Sequence, residues 1–311
     1  MTVYIDPPVW PAHGTVFSHL VSDASLAELH ALAEQAGISR RAFDQDHYDV
    51  PAHRYEDLLD LGAVPVSGRR LARILADSGL RVRARERPEK LRHRLLRRWM
   101  RLAGPGEGAA GRAWTEVGEE LLQRWSEPHR HYHALPHLAA VLSVTGTLER
   151  AGELPAELRR PVLLAGWFHD AVYRGAAGQD EEDSAQLAEQ KLDRLLPEPE
   201  VAETARLVRL TAGHSPDTGD AAGCVLTDAD LEVLGRDPAD YRRYAEQVRA
   251  DYAHVPQEQF AAGRAQVLRG LLAAPRLYRT DTGHRLWEER ARQNIQQEHA
   301  ELERGDRGVP A

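Results

Sequence analysis

Four side chains in this chain have the types and order expected of a metal centre: His137, His169, Asp170 and an aspartate within Thr227–Asp230. Histidine is dense where they begin, with four imidazoles in Glu127-Pro128-His129-Arg130-His131-Tyr132-His133-Ala134-Leu135-Pro136-His137. Pro136 suits the first position of a helix, which puts His137 in its first turn. The pair His169-Asp170 closes the apolar run Pro161–Phe168. Burying two hydrophilic groups there is unfavourable without partners, and a cation is the economical partner. Imidazole nitrogen with carboxylate oxygen selects Mn, Fe, Co, Ni or Zn rather than Mg, as one or two divalent ions. Two histidines and two aspartates leave coordination positions for water and a phosphoryl oxygen. That chemistry is hydrolysis by a metal-activated water.

These residues lie in the helical part of the chain. From about Pro88 onward apolar residues recur at helical spacing in 91–102, 113–125, 138–148, 158–173, 184–196, 201–212, 239–252, 258–273 and 284–300. Breakers separate the segments, among them Gly104-Pro105-Gly106, Gly175 to Gly178, and Gly219 with Gly223. The first 85 residues read differently. Val3-Tyr4-Ile5 and Ala63 to Val66 predict strands, and Ser22-Asp23 caps a helix through about Ala36 that Gly37 ends. A second helix spans Ala52–Leu61, closed by Gly62, and a third follows Ser67. The fold class is α+β multidomain: a small α/β domain over 1–86, a larger all-α domain over 87–304, and a flexible tail over 305–311.

About 90–304 resembles the bacterial group of metal-dependent HD-superfamily phosphohydrolases predicted from sequence. The segments that carry the resemblance run in order: RHYHALPH (130–137), GWFHDAVY (166–173), DEEDSA (180–185), LTAGH (210–214), LTDADLEVLG (226–235), Tyr241 to Tyr252, GRAQVL (263–268) and EERARQN (288–294). It implies an all-α HD fold with metal ligands His137, His169, Asp170 and Asp228, the last placed where the superfamily's final aspartate lies. Asp230 competes for that role. Glu181, His214 and Asp230 are candidate catalytic groups. Asp180 stands where family members usually carry asparagine, so the role of that segment is in doubt. Arg130 and His133 are candidates for gripping the substrate phosphate, with Arg264 and Arg292 behind them. Trp167 and Phe168 read as core.

The first 85 residues resemble a bacterial domain family of unknown function, through VYIDPPVWPAHG (3–14), HLVSDASLAELHALA (19–33), GISRRAFDQDHYDVP (37–51) and GAVPVS (62–67). No activity comes with that resemblance. The residues themselves offer Asp6, His13, His19, Asp23, His47 and Asp49 as ligands or acid–base groups, with Asp23 also suited to capping a helix. Such a unit could present or restrict substrate for the helical domain.

Composition narrows the partners. The 311 residues carry a formal charge of −8, which argues against coating nucleic acid. Ten basic and two acidic residues fall in 81–101, a solvated helix face or a phosphate-attracting patch. Because 38 of 40 basic residues are arginine and Asn294 is the sole asparagine, codon bias weakens any argument from a single arginine. The expected substrate is a small phosphorylated molecule, a nucleotide foremost. A nuclease or phosphodiesterase on nucleic-acid ends is the enzymatic alternative; a non-catalytic nucleotide sensor with a structural metal is the other. No apolar run spans a bilayer, no basic-then-apolar leader opens the chain, and Cys224 is alone, so a cytoplasmic location is expected. The oligomeric state is left open.

Overall fold

The computed structural model describes residues 2–12, 14–81, 88–103, 109–176 and 178–306. It divides into two compact units, Met1–Arg87 and Pro88–Ala311. The first is a small α/β unit and the second is helical. Among the described residues no helix is long and apolar enough to cross a membrane.

The N-terminal unit is organised by one long strand. Strands β1 (Val3–Ile5), β2 (Trp10–Ala12) and β3 (Thr15–Ser22) are followed by helix α1 (Leu26–Gln35), strand β4 (Tyr48–Pro51), helix α2 (Tyr55–Asp60), strand β5 (Val64–Pro65) and helix α3 (Gly68–Asp77). Phe17 of β3 pairs with both Trp10 and Pro51, and Leu20 with both Ile5 and Tyr48, so β4 takes one edge of β3 while β1 and β2 share the other. β5 pairs with β1 in parallel. Side chains alternate across a strand. Ser18, Leu20, Tyr48 and Val50 therefore face the core, and His19 and Asp49 face away from it.

Sequence reading found β1, β5 and the three helices, and missed β2, β3 and β4. The N-cap of α1 is Ser25, not Ser22 or Asp23. Asp23 instead accepts from the Thr2 amide at 2.8 Å and the Tyr4 hydroxyl at 3.2 Å, tying the start of the chain to the end of β3.

The helical unit comprises α4 (Pro88–Met100), α5 (Ala109–Arg124), α6 (Leu135–Arg150), α7 (Arg159–Phe168), α8 (Gln179–Leu192), α9 (Glu198–Leu210), α10 (Ala221–Leu231), α11 (Pro238–Asp251), α12 (Gln257–Ala273) and α13 (Asp281–Asp306). The expected flexible tail begins inside α13, and residues 307–311 lie outside the described residues. α10 was not expected, because Gly219 and Gly223 read as a break. Asp220 caps it by accepting from the Gly223 amide at 2.9 Å, and a Cβ on Gly223 would meet that carboxylate at 2.4 Å. Glycine is thus the residue that lets Asp220 cap its own helix.

Tryptophans build the core beneath the site. Trp99 and Trp114 stack at 4.5 Å, and each donates its indole N–H to the other's backbone carbonyl, at 2.7 and 3.1 Å. Gly118 makes the space: a Cβ there would sit 2.3 Å from Trp99 Cδ1. Trp125 donates to the Trp167 carbonyl at 2.9 Å, and its ring lies 5.4 Å from that of His169. Trp167 and Phe168 are fully buried, as their apolar run predicts.

Candidate metal centre

Three helix termini meet at one point. His137 lies in the first turn of α6, His169 and Asp170 end α7, and Asp230 stands in the last turn of α10. His137 Nε2 and His169 Nε2 face each other at 3.2 Å. Asp230 Oδ1 lies 3.0 Å from His137 Nε2 and 3.5 Å from His169 Nε2. Asp170 Oδ2 is 3.1 Å from His169 Nε2 and 3.6 Å from His137 Nε2. Donors bonded to a common transition ion at about 2.0–2.1 Å stand roughly 3 to 3.5 Å apart, and His137, His169 and Asp230 fit that spacing, with Asp170 beside His169.

The surroundings orient the set. His169 Nδ1 donates to the Gly166 carbonyl at 3.0 Å, which fixes the tautomer and turns Nε2 towards its neighbours. His214 Nε2 lies 2.7 Å from Asp230 Oδ2 and holds the far side of that carboxylate. Electrostatics favour a positive charge at the meeting point. Burial disfavours a charged His169, yet Asp170 and Asp230 hold its pKa well above the ordinary imidazole value. Burial also opposes ionisation of both aspartates, but the His169 imidazole keeps them below the usual carboxylate range. Burial pushes His137 down. A divalent ion at the meeting point would satisfy both nitrogens and the Asp230 carboxylate together.

The cluster opens on a cavity of about 130 Å³ lined in part by His133, Asp170, Glu181, His214 and Asp230. Several expected roles can be placed against it. His133 stacks on Tyr173 at 4.2 Å and is held through Nδ1 by Asp251 at 2.7 Å. Asp251 also accepts from the amides of His131, Tyr132 and His133, so one buried carboxylate at the end of α11 shapes the whole histidine-rich turn. Sequence reading missed Asp251, because an aspartate at a helix end looks like a solvated one. Glu181 accepts from the Gly178 amide at 2.6 Å. Neighbouring Asp180 accepts from the amides of Arg174 and Ala176 at 2.7 and 2.9 Å, clamping the loop before α8.

Two expectations require correction. Asp228 is not with the other candidate ligands. It is fully buried, and Oδ1 accepts from the Arg279 amide at 2.6 Å while Oδ2 accepts from the Thr280 amide and hydroxyl at 2.8 and 2.7 Å. It anchors the segment entering α13, and Asp230 occupies the position expected of it. Arg130 does not reach out for phosphate either. Its buried guanidinium donates to the carbonyls of His133, Asp170 and Ala171 at 3.2, 2.6 and 3.1 Å and to Glu127 at 2.9 Å. Arg264 and Arg292 are likewise taken up, by Glu298 and Glu288.

Burial pushes the Asp228 carboxyl up to about 6, from an ordinary 3.8. The folded protein therefore holds that proton more tightly than the unfolded chain does. Its contribution to stability is full below about pH 4 and declines as pH rises to about 6, by about 3 kcal/mol. Urea unfolding across this interval should show the decline in wild type but not in Asp228→Asn; parallel profiles for the two proteins would contradict it.

The basic segment contributes to a separate cavity of about 480 Å³. Arg94, Arg97 and Arg98 of α4 line it with Arg101 just beyond that helix and with Arg159, over Leu142, Leu163 and Trp167. It shares no lining residue with the histidine–aspartate cavity. Residues 82–87 of the segment lie outside the described residues.

In the N-terminal unit Asp6, His19, His47 and Asp49 come together, Asp23 lies apart in the contacts given above, and His13 is outside the described residues. Residues 3–78 match the family described as Protein of unknown function (DUF4031). That match gives the chain an N-terminal domain of unknown function. No curated protein and no solved structure matches the chain.

Proposed function

We propose that the helical unit is a divalent-metal-dependent phosphohydrolase of the HD type, acting on a phosphate ester of a nucleotide or another small phosphorylated metabolite. The observation that carries this reading is the convergence of His137, His169 and Asp230, with Asp170 beside His169, next to a cavity. The resemblance of the motifs around these residues to that superfamily points the same way. A bound transition ion supplies an activated water at neutral pH and polarises a phosphoryl oxygen.

The chain's own residues do the rest. Gly166 and His214 hold His169 and Asp230 in their ligating orientations. Asp251 fixes His133 on the cavity wall, where its imidazole meets the phosphoryl group in place of the expected Arg130. Glu181, on the same wall, is placed to accept the proton of the attacking water. The small cavity and the charge of −8 favour a small ester over a polymer.

The test is a panel of phosphate esters and nucleotides with Mn²⁺, Co²⁺, Ni²⁺ and Mg²⁺, after counting bound metal. Turnover should vanish on chelation and return with a transition ion. Activity that survives in His169→Ala would sink the assignment. Binding to oligonucleotides that weakens steeply with salt would transfer the reading to nucleic-acid ends.

A further inference from the structure

The outward face of the N-terminal sheet assembles a second constellation, in the domain whose family match assigns no activity. His19 on β3 and Asp49 on β4 are cross-strand partners in register. His47 lies in the bend that leads into β4, two residues before Asp49. Register brings His19 and Asp49 together, and the bend before β4 adds His47. His19 Nε2 lies 3.8 Å and His47 Nε2 3.5 Å from Asp49 Oδ1.

What lies behind the imidazoles separates this cluster from an ordinary surface ion pair. His19 Nδ1 is 3.2 Å from Asp6 Oδ2, and His47 Nδ1 is 2.5 Å from Asp46 Oδ1. Both carboxylates are buried, each 2 % exposed. Asp6 is itself fixed by the amide of His19 and the indole N–H of Trp10. A carboxylate on Nδ1 holds that nitrogen as the donor and presents the Nε2 lone pair. The same device occurs twice, once on β3 and once in the bend before β4, and both Nε2 atoms are turned to one carboxylate that is 47 % exposed. A structural ion pair needs one histidine and one carboxylate. Two imidazoles, each backed by its own buried aspartate and aimed at a common point, form the outer support that metal-ligating histidines show.

We propose that the N-terminal unit carries a divalent-metal site of the zinc type, with His19 Nε2, His47 Nε2 and Asp49 as ligands and with Asp6 and Asp46 as the residues that orient the imidazoles. Two nitrogens and one oxygen suit Zn²⁺ and the neighbouring transition ions rather than Mg²⁺ or Ca²⁺. Three protein ligands leave a fourth position at the exposed side of Asp49, where water or an exogenous donor completes the shell. This is the arrangement of a reactive rather than a closed structural site. The proposal is independent of the chemistry assigned to the helical unit.

The experiment uses the full chain, stripped with chelator, reloaded with Zn²⁺ and freed of excess, with zinc counted per chain by mass spectrometry. The double variant His47→Asn/Asp49→Asn should bind one equivalent fewer than wild type, whatever the helical unit binds. Asp46→Asn retains the three ligands, so its zinc affinity should fall roughly 10- to 100-fold without loss of stoichiometry at saturation. Asp49 is half exposed, and circular dichroism checks that the single variant Asp49→Asn, which should also bind more weakly, is folded. An unchanged count in the double variant, or an Asp46→Asn affinity equal to wild type, would overturn the site. Loss of the other equivalent in Asp230→Asn reports on the helical unit alone, so the two readings fail separately.

Discussion

Asp230→Asn should lose the metal of the helical unit and at least about a thousandfold in kcat/KM, equivalent to about 4 kcal/mol of transition-state stabilisation, while Asp228→Asn keeps both. The contrast follows from where the two carboxylates point. Asp230 Oδ1 stands within 3.5 Å of both imidazole Nε2 atoms, whereas Asp228 is consumed by Arg279 and Thr280. An amide at 230 removes one of two negative charges that attract the cation, and its N–H₂ group must face either the ion or His214. The amide gives up the attraction by which His169 holds Asp230 below the usual carboxylate range, so circular dichroism checks that the variant is folded. Bound metal per chain and the metal-induced rise in Tm both read the outcome. A folded wild type at a hundredfold excess over Kd gains about 2.7 kcal/mol from binding, and Asp230→Asn should show none of this from the helical site. Metal retention by Asp230→Asn together with loss in Asp228→Asn would reverse the assignment.

That the sequence favoured Asp228, which lies apart from the cluster, over its competitor Asp230 has a physical reason. Residues i and i+2 on a helix are rotated by roughly 200°, so Asp228 and Asp230 face nearly opposite directions. Choosing between them requires knowing which face of α10 looks at the site. An amphipathic helix would reveal that through its apolar stripe. α10 is buried along Ala222 to Ala229, with no polar face to set the phase. His137 and His169 were legible for the opposite reason: Pro136 and the end of an apolar run mark their places in the helices without any need for phase. Strands β2 and β4 were hidden because their pattern is set by pairing with β3, and Trp10-Pro11-Ala12 has no alternation to read. Yet the candidates in that region, His19, His47 and Asp49, were visible as residue types. Only the register between β3 and β4, with the bend that precedes β4, shows that they meet.

The position of Arg130 was legible but its task was not, since arginine is nearly the only cation this chain uses. Its side chain is fully buried, and it satisfies three backbone carbonyls and one carboxylate while packing against the Trp125 and Tyr173 rings. Two of those carbonyls belong to Asp170 and Ala171, so the guanidinium braces the turn that presents a ligand. Arg130→Ala leaves these acceptors in a dry pocket without donors and should destabilise the protein by about 3–5 kcal/mol in urea unfolding. Arg130→Lys should recover little, because one ammonium cannot span a planar array of four acceptors. A phosphate-gripping arginine predicts the reverse pattern: an alanine variant of normal stability, a raised KM, and partial rescue by lysine. Since the acceptors of Arg130 include the chain just beyond the metal cluster, the alanine variant should also bind metal more weakly, and supplying a tighter-binding ion should restore part of the lost stability. That coupling would be absent if the arginine touched only substrate.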